Sequence, residues 1–350
     1  MQRFKKILCV MPDDGLLDVA LERAAALARN NQCQLTIIKV IEKIPPVVNS
    51  PNHLLGQDGI HLNTITKHQR DLEELFLPWR DEIEIDIKIL IGKPFLEIVR
   101  EVLNNGHDLV IKTAQTAGLY ARVFGNSDID LLRKCPCPVW LVNANKPRTH
   151  YQIMAAVDVG EFYSPEELKA KRRLNTQILE VAGSLASSDS SVLHVVHVLE
   201  LFGQSAVRYE ASNPHSSIGE INLKMDIEST TNEPLDNFAE NIVQQHRRSV
   251  RELMDKTIHQ PKSGGPKNDN LKSQLLIGSP RKQISAFAEQ IDADLIIMGA
   301  EARTYLPGVF AGNTAEAILG QLSCSVFAIK PQGFVAPVTV ENRERMRAVG

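Results

Sequence analysis

The sequence predicts an α/β protein of two tandem doubly wound domains, each built on a parallel sheet. Three observations carry this. Apolar runs of strand length alternate with segments of helical period, a block of the first half recurs in the second, and a polar, proline-containing stretch separates the copies. Length agrees, because at 350 residues the chain exceeds the ~250–300 residues at which a single core stops growing.

In order along the chain, ILCVM (7–11) is a buried-strand run. LLDVALERAAALAR (16–29) sets Leu17, Leu21, Ala24 and Ala28 on one helical stripe, and QLTIIKVI (34–41) returns to strand composition. Strand, helix, strand is a βαβ unit, and its long crossover implies parallel neighbours. LIGKPFLEIVREVLNNGHDLVIK (90–112) then aligns without a gap to LIGSPRKQISAFAEQIDADLIIM (276–298). Gly92, Pro94, Ile98 and Asp108 match Gly278, Pro280, Ile284 and Asp294, and each copy reads strand, Gly-x-Pro turn, helix, strand. After a one-residue shift the match resumes with VFGNSD (123–128) against VFAGNTAE (309–316) and CPVWLV (137–142) against CSVFAI (324–329). Upstream, ILCVMP (7–12) pairs with IMAAVD (153–158) and TIIKVIE (36–42) with HVVHVLE (194–200). The whole fold is duplicated.

The expected division is 1–143 for the first domain, 144–150 for the linker, 151–330 for the second domain and 331–350 for a C-terminal tail. NANKPRTH (143–150) has the composition of a linker. The second half carries extra residues in 161–173 and in 202–234. The latter leaves the carboxyl end of a strand, where open α/β sheets bind ligands, and a connection of that length suggests a lid.

Composition excludes several classes. A formal net charge of −3 offers no basic field to neutralise a phosphate backbone, so direct nucleic-acid binding is not expected. The apolar run at the N-terminus is too short for a signal peptide, and no stretch approaches the ~18 apolar residues of a spanning helix. A cytoplasmic protein without a membrane partner is expected. Five cysteines, with Cys135 and Cys137 only two apart, suggest free thiols.

These residues together resemble the universal stress protein family, specifically its tandem-domain E type, from Phe4 to Pro331. The resemblance rests on the duplication and on the first strand of the second half ending in Asp158, HVVHV (194–198), IGSP (277–280), ADLIIMG (293–299), AGNTAE (311–316) and CSVFAIK (324–330). It implies a five-stranded parallel sheet of order 3-2-1-4-5 in each domain, with helices on both faces. It also implies that the last strands, 137–143 and 324–330, pair within the chain as family homodimers pair them, making an intramolecular pseudo-dimer.

Some family members bind ATP through G-x2-G-x9-G-[ST]. Here Gly299 matches the first glycine, Ala302 stands at the second, Gly312 matches the third, and Asn313 takes the Ser/Thr position. Thr314 offers a hydroxyl nearby, Arg303 is placed to balance phosphate charge, and Asp158 and Val198 match the positions that hold adenine and ribose. Glycines let backbone amides approach phosphate, and the helix after Gly312 would turn its N–H groups to the anion. The alternative stays open, because Asn313 followed by Glu316 also reads as a capping box that initiates a helix with no ligand. In the first half Thr113 and Thr116 replace the first two glycines, the gap to Gly125 is one residue short, and Pro12 stands opposite Asp158. That copy reads as a structural partner.

No Walker or dinucleotide fingerprint occurs. His194 and His197 lie three apart on one strand and face opposite sides, a poor geometry for a shared metal. His53, His61 and His68 lack ligand spacing. Cys137 matches Cys324 at a strand start, which favours packing, and Trp140 alternates as a core residue should. No nucleophile with an adjacent base, carboxylate pair or metal cluster emerges.

The resemblance implies a role in stress resistance, as in starvation or DNA damage, and without a catalytic constellation the expected action is binding of a protein partner or small-molecule ligand rather than catalysis. One alternative is an ATP switch with one site in the second half, magnesium accompanying the nucleotide and hydrolysis slow. Another is a carrier of an apolar small molecule beneath 202–234. The chain is expected as a monomeric pseudo-dimer or a homodimer.

Overall fold

The structure is a computed structural model that describes residues 4–12, 19–42, 57–114, 127–144, 152–160, 163–200, 235–258, 270–300 and 324–338. The chain divides into two compact units, one of Met1–Asn145 with Phe334–Gly350 and the other of Lys146–Gly333.

In the first unit β1 (Lys6–Val10), β2 (Gln34–Ile41), β3 (Ile85–Ile91), β4 (Leu109–Thr113) and β5 (Val139–Val142) run in the order β3-β2-β1-β4-β5. Every pairing in that set is parallel. Helices α1 (Val19–Asn31), α2 (Gln57–Phe76), α3 (Pro94–Asn105) and α4 (Ser127–Lys134) connect them. The central strand is apolar on both faces because both are covered, with Ile7, Leu8 and Cys9 buried. Leu21, Ala24 and Ala28 of α1 are buried as the helical stripe requires. Trp140 is wholly buried on β5, and all five cysteines are free and buried.

The second unit repeats the plan. β6 (Gln152–Val157), β7 (Val192–Leu199), β8 (Leu271–Ile277), β9 (Leu295–Gly299) and β10 (Ser325–Ile329) take the order β8-β7-β6-β9-β10, again all parallel. Helices α5 (Pro165–Ser188), α6 (Leu235–Thr257) and α7 (Pro280–Gln290) lie between them. Numbered within its own unit, each sheet reads 3-2-1-4-5.

The recurring residues have recurring jobs. Asp108 accepts from the backbone N–H groups of Lys5 at 2.7 Å and Lys6 at 3.2 Å, at the start of β1. Asp294 does the same for Gln152 at the start of β6, at 3.1 Å. In both copies the aspartate N–H donates to the carbonyl of that first strand, Lys6 at 3.0 Å and Gln152 at 2.9 Å. The Gly-x-Pro turns also repeat. Gly92 and Gly278 adopt φ of +153° and +127°, a region that disfavours a Cβ, and Pro94 and Pro280 open α3 and α7 at a position where their missing N–H costs nothing.

Among the described residues, the copies differ after their first strands. α1 has 13 residues, whereas α5 has 24. The extra segment 161–173 therefore contributes helix. Ser164 caps α5 by accepting from the Glu167 N–H at 3.3 Å, Glu167 accepts from the Ser164 N–H at 2.9 Å, and Pro165 takes the first helical position.

Candidate functional site

Register brings three of the sequence-predicted positions to one edge. Val157 pairs with His197 and Ala156 with Met298, so Asp158, Val198 and Gly299 stand at the carboxyl ends of the adjacent strands β6, β7 and β9. Ala302, Arg303, Gly312, Asn313 and Thr314 lie outside the described residues, as do Thr116, Gly125 and the segment 202–234.

Asp158 is already engaged. Its Oδ2 accepts from Lys171 Nζ at 2.7 Å and from the Tyr163 hydroxyl at 2.8 Å, while Oδ1 accepts from the Gly160 N–H at 3.0 Å. Its peptide is clamped as well. Asn175, buried on α5, accepts from the Asp158 N–H at 3.1 Å and donates to the Asp158 carbonyl at 2.7 Å. The Lys171 ammonium also sits 4.3 Å from the centroid of the Tyr163 ring. Burial pushes the Asp158 carboxyl up, but the Lys171 charge and hydrogen bond, with Gly160 and Tyr163, outweigh it and hold the pKa below the ordinary value.

Gly299 closes against α5. A Cβ there would come within 2.7 Å of Leu174 Cδ2, and Leu174 is buried. Packing against the Leu174 side chain therefore favours glycine at the first motif position even without a ligand. Val198 is half-buried and packs on the core of Met154, Val196, Ile284, Phe287 and Ile296. Beside Gly299, the buried Lys330 donates to the Ala300 carbonyl at 3.2 Å.

The corresponding edge of the first unit has other chemistry. Thr113 ends β4, and Lys112, in the place of Met298, donates to the Thr113 carbonyl at 2.9 Å and lies 2.9 Å from Asp128 of α4. The pair is nearly buried, with side-chain exposures of 12% and 4%. A carboxylate in the first turn of α4 occupies the region where a helix N-terminus favours an anion.

His194 and His197 do point to opposite faces of β7. His194 meets Gln152 Oε1 at 2.9 Å and the edge of Phe287. His197 meets His246 of α6, with Nε2 to Nδ1 at 2.9 Å and ring planes within 2°. Nothing local in the sequence announces that contact, since 49 residues separate the two. The partners of Asp158 were more accessible, because Lys171 and Asn175 are four apart and share a helical face. Among the described residues, no three His, Cys, Asp or Glu side chains are grouped to hold a metal, and no helix is long and apolar enough to cross a membrane.

Two doubly wound α/β units, the second repeating the strand order of the first, define a tandem-repeat α/β protein. Its residues 3–143 and 173–330 match the Universal stress protein family, and the chain belongs to that family. Universal stress protein E of Escherichia coli K12 is 28% identical over 264 residues, covering 75% of this chain and 73% of that protein. The Universal stress protein E homolog of Haemophilus influenzae is 27% identical over 336 residues, 94% of this chain and 98% of that one. A crystal structure from Pseudomonas aeruginosa UCBPP-PA14 superposes with a TM-score of 0.65 at 23% identity, covering 94% of each chain. That likeness speaks for the fold alone. Asp158, Tyr163 and Lys171 lie between the two family-matched segments.

Proposed function

We propose that this stress-response protein acts by binding a partner, without nucleotide and without a chemical step of its own. The observation that carries the reading is the Asp158 carboxylate, both of whose oxygens are held by Lys171, Tyr163 and Gly160 of the same chain. Gly299 supports it, since Leu174 fills the space beside that residue. The test is thermal unfolding with magnesium and ATP. At millimolar ATP a micromolar ligand would contribute roughly 4 kcal/mol, whereas this reading expects no rise in melting temperature. A rise that depends on ATP concentration overturns it.

The second reading, a single ATP site in the second unit, is favoured by the alignment of Asp158, Val198 and Gly299 along one sheet edge. It requires Asp158 to exchange Lys171 and Tyr163 for the ligand. Calorimetry would then return one site per chain, and Lys171→Ala would tighten it.

A further inference from the structure

We infer that His197 and His246 form a proton-sensitive fastener that holds α6 on the second unit's sheet at neutral pH and releases it on acidification. Both rings are more than nine-tenths buried. His197 Nδ1 lies 3.1 Å from the Val157 carbonyl, against 3.5 Å from the Val159 nitrogen. The shorter contact makes Nδ1–H the donor to Val157, so Nε2 accepts from the Nδ1–H of His246.

The geometry limits how many protons the pair can hold. With neither ring charged, one hydrogen lies between the two facing nitrogens. With one proton added, a tautomer change on His246 keeps a single hydrogen there and the contact survives. With both rings charged, two N–H groups face each other across 2.9 Å, and the contact must open. α6 is the element that gives, because strand β7 is fixed by parallel pairing to β6 and β8. Among the described residues near His246, α6 also grips this part of the sheet through the apolar cluster of Val243 and Ile242 with Leu199, Leu275 and Ile277.

Among the described residues, the charges that act on His197 come from Asp158 and His246. From the end of β6, Asp158 favours a charged His197, but Lys171 of α5 already neutralises it. From α6 the facing group is His246 itself, and the neighbouring positions on β8 and β6 are Leu275 and Val157. His194 and Lys272 concern the opposite face of β7. Burial outweighs the Val157 hydrogen bond and the Asp158 charge, and lowers the His197 pKa. A released pair takes two protons near about pH 6.5 while the fastened pair keeps at most one, so fastening weakens by about tenfold for each pH unit well below that value.

The experiment is hydrogen exchange of α6 peptides in the full chain at about pH 7.5 and about pH 5.5, corrected for intrinsic exchange, in wild type and in His197→Leu/His246→Leu. Leucine keeps the volume and removes both facing polar groups together, a change that cores tolerate. Wild type should lose at least about tenfold protection, and the variant less than about twofold. A wild-type loss below twofold, or an equal loss in the variant, overturns the inference. Should the variant fail to fold, long-range nitrogen–proton spectra of the wild-type histidine rings decide. Nδ1–H tautomers in both rings, with protonation in step with α6 opening, support the fastener. Rings that titrate near about 6.5 while α6 stays protected overturn it.

Discussion

Lys171 Nζ stands 2.7 Å from Asp158 Oδ2, joining the second turn of α5 to the residue that closes β6. The aspartate that family resemblance marks for a ligand is thus tied to the start of α5, which the extra segment 161–173 supplies. Lys171 shields it, Tyr163 covers it, and Asn175 fixes its backbone.

Breaking that pair should weaken the second unit. Asp158 is 40% exposed at its side chain, so water screens part of the interaction and Lys171→Ala should cost only about 1 kcal/mol in urea unfolding. The pH dependence follows from the lowered carboxyl pKa. The contribution is present above the ordinary aspartate pKa of about 3.9 and disappears as pH falls through the folded value. The gap between wild type and variant should therefore close on acidification below about pH 4, and a gap that widens there would refute the pairing.

Gly299 separates packing from ligand binding. A methyl group added at this residue would sit 2.7 Å from Leu174 Cδ2. Gly299→Ala should therefore destabilise the protein by about 1–3 kcal/mol with no ligand present. Adding Leu174→Ala, which costs about 2–5 kcal/mol alone, should remove the clash, so the double variant is more stable than the sum of the two. Strict additivity would mean that the glycine is not held by this contact.

Asp108 and Asp294 were legible as a matched pair before their role was visible, and the duplicated geometry explains why. Each closes the start of its unit's first strand through backbone bonds, which any sequence with that topology has to satisfy. The 3-2-1-4-5 order was carried by resemblance, since periodicity gives strands and helices but not neighbours. The shared helical face of Lys171 and Asn175 is legible in the sequence, but that it turns toward Asp158 is not, because position in a motif says nothing of a competing intramolecular cation. His246 was invisible for a different reason: among the described residues of α6 it is the buried polar one beside Val243, Val250 and Met254, and only tertiary packing selects its partner.

Asp294→Ala should cost more than Asp108→Ala. Asp294 is 5% exposed, whereas Asp108 is less buried, so water replaces the lost acceptor more readily in the first unit. A buried N–H left unsatisfied costs about 1–3 kcal/mol, and the first-unit change should fall below that range. Equal losses in denaturant unfolding would show that burial does not govern the difference.

The repeat also identifies a polar cluster that the second unit builds differently. In the first unit, Lys88 of β3 pairs with the buried Glu101 of α3 at 2.7 Å, and the buried His107 lies 3.4 Å from the same oxygen. The aligned positions in the second unit are Gln274, Phe287 and Ala293, of which Phe287 and Ala293 belong to an apolar core cluster. One fold thus solves the same corner twice, once with charge and once with hydrocarbon. Desolvation raises the Glu101 pKa, yet hydrogen bonds from His107 and Lys88 bring it below the ordinary value, so the network stabilises above about pH 4.3 and loses that contribution as pH falls. Removing one member should hurt: Glu101→Ala leaves His107 facing a cavity and should cost about 2–4 kcal/mol. Replacing the set should not. Lys88→Gln/Glu101→Phe/His107→Ala, which imports the second unit's solution, should stay within about 1 kcal/mol of wild type at neutral pH, and its relative stability should rise as pH falls toward about 4 because it carries no carboxylate to protonate. Urea unfolding of the three proteins at both pH values tests this. A triple variant as unstable as Glu101→Ala would show that the charged corner is required by the shape of the first unit.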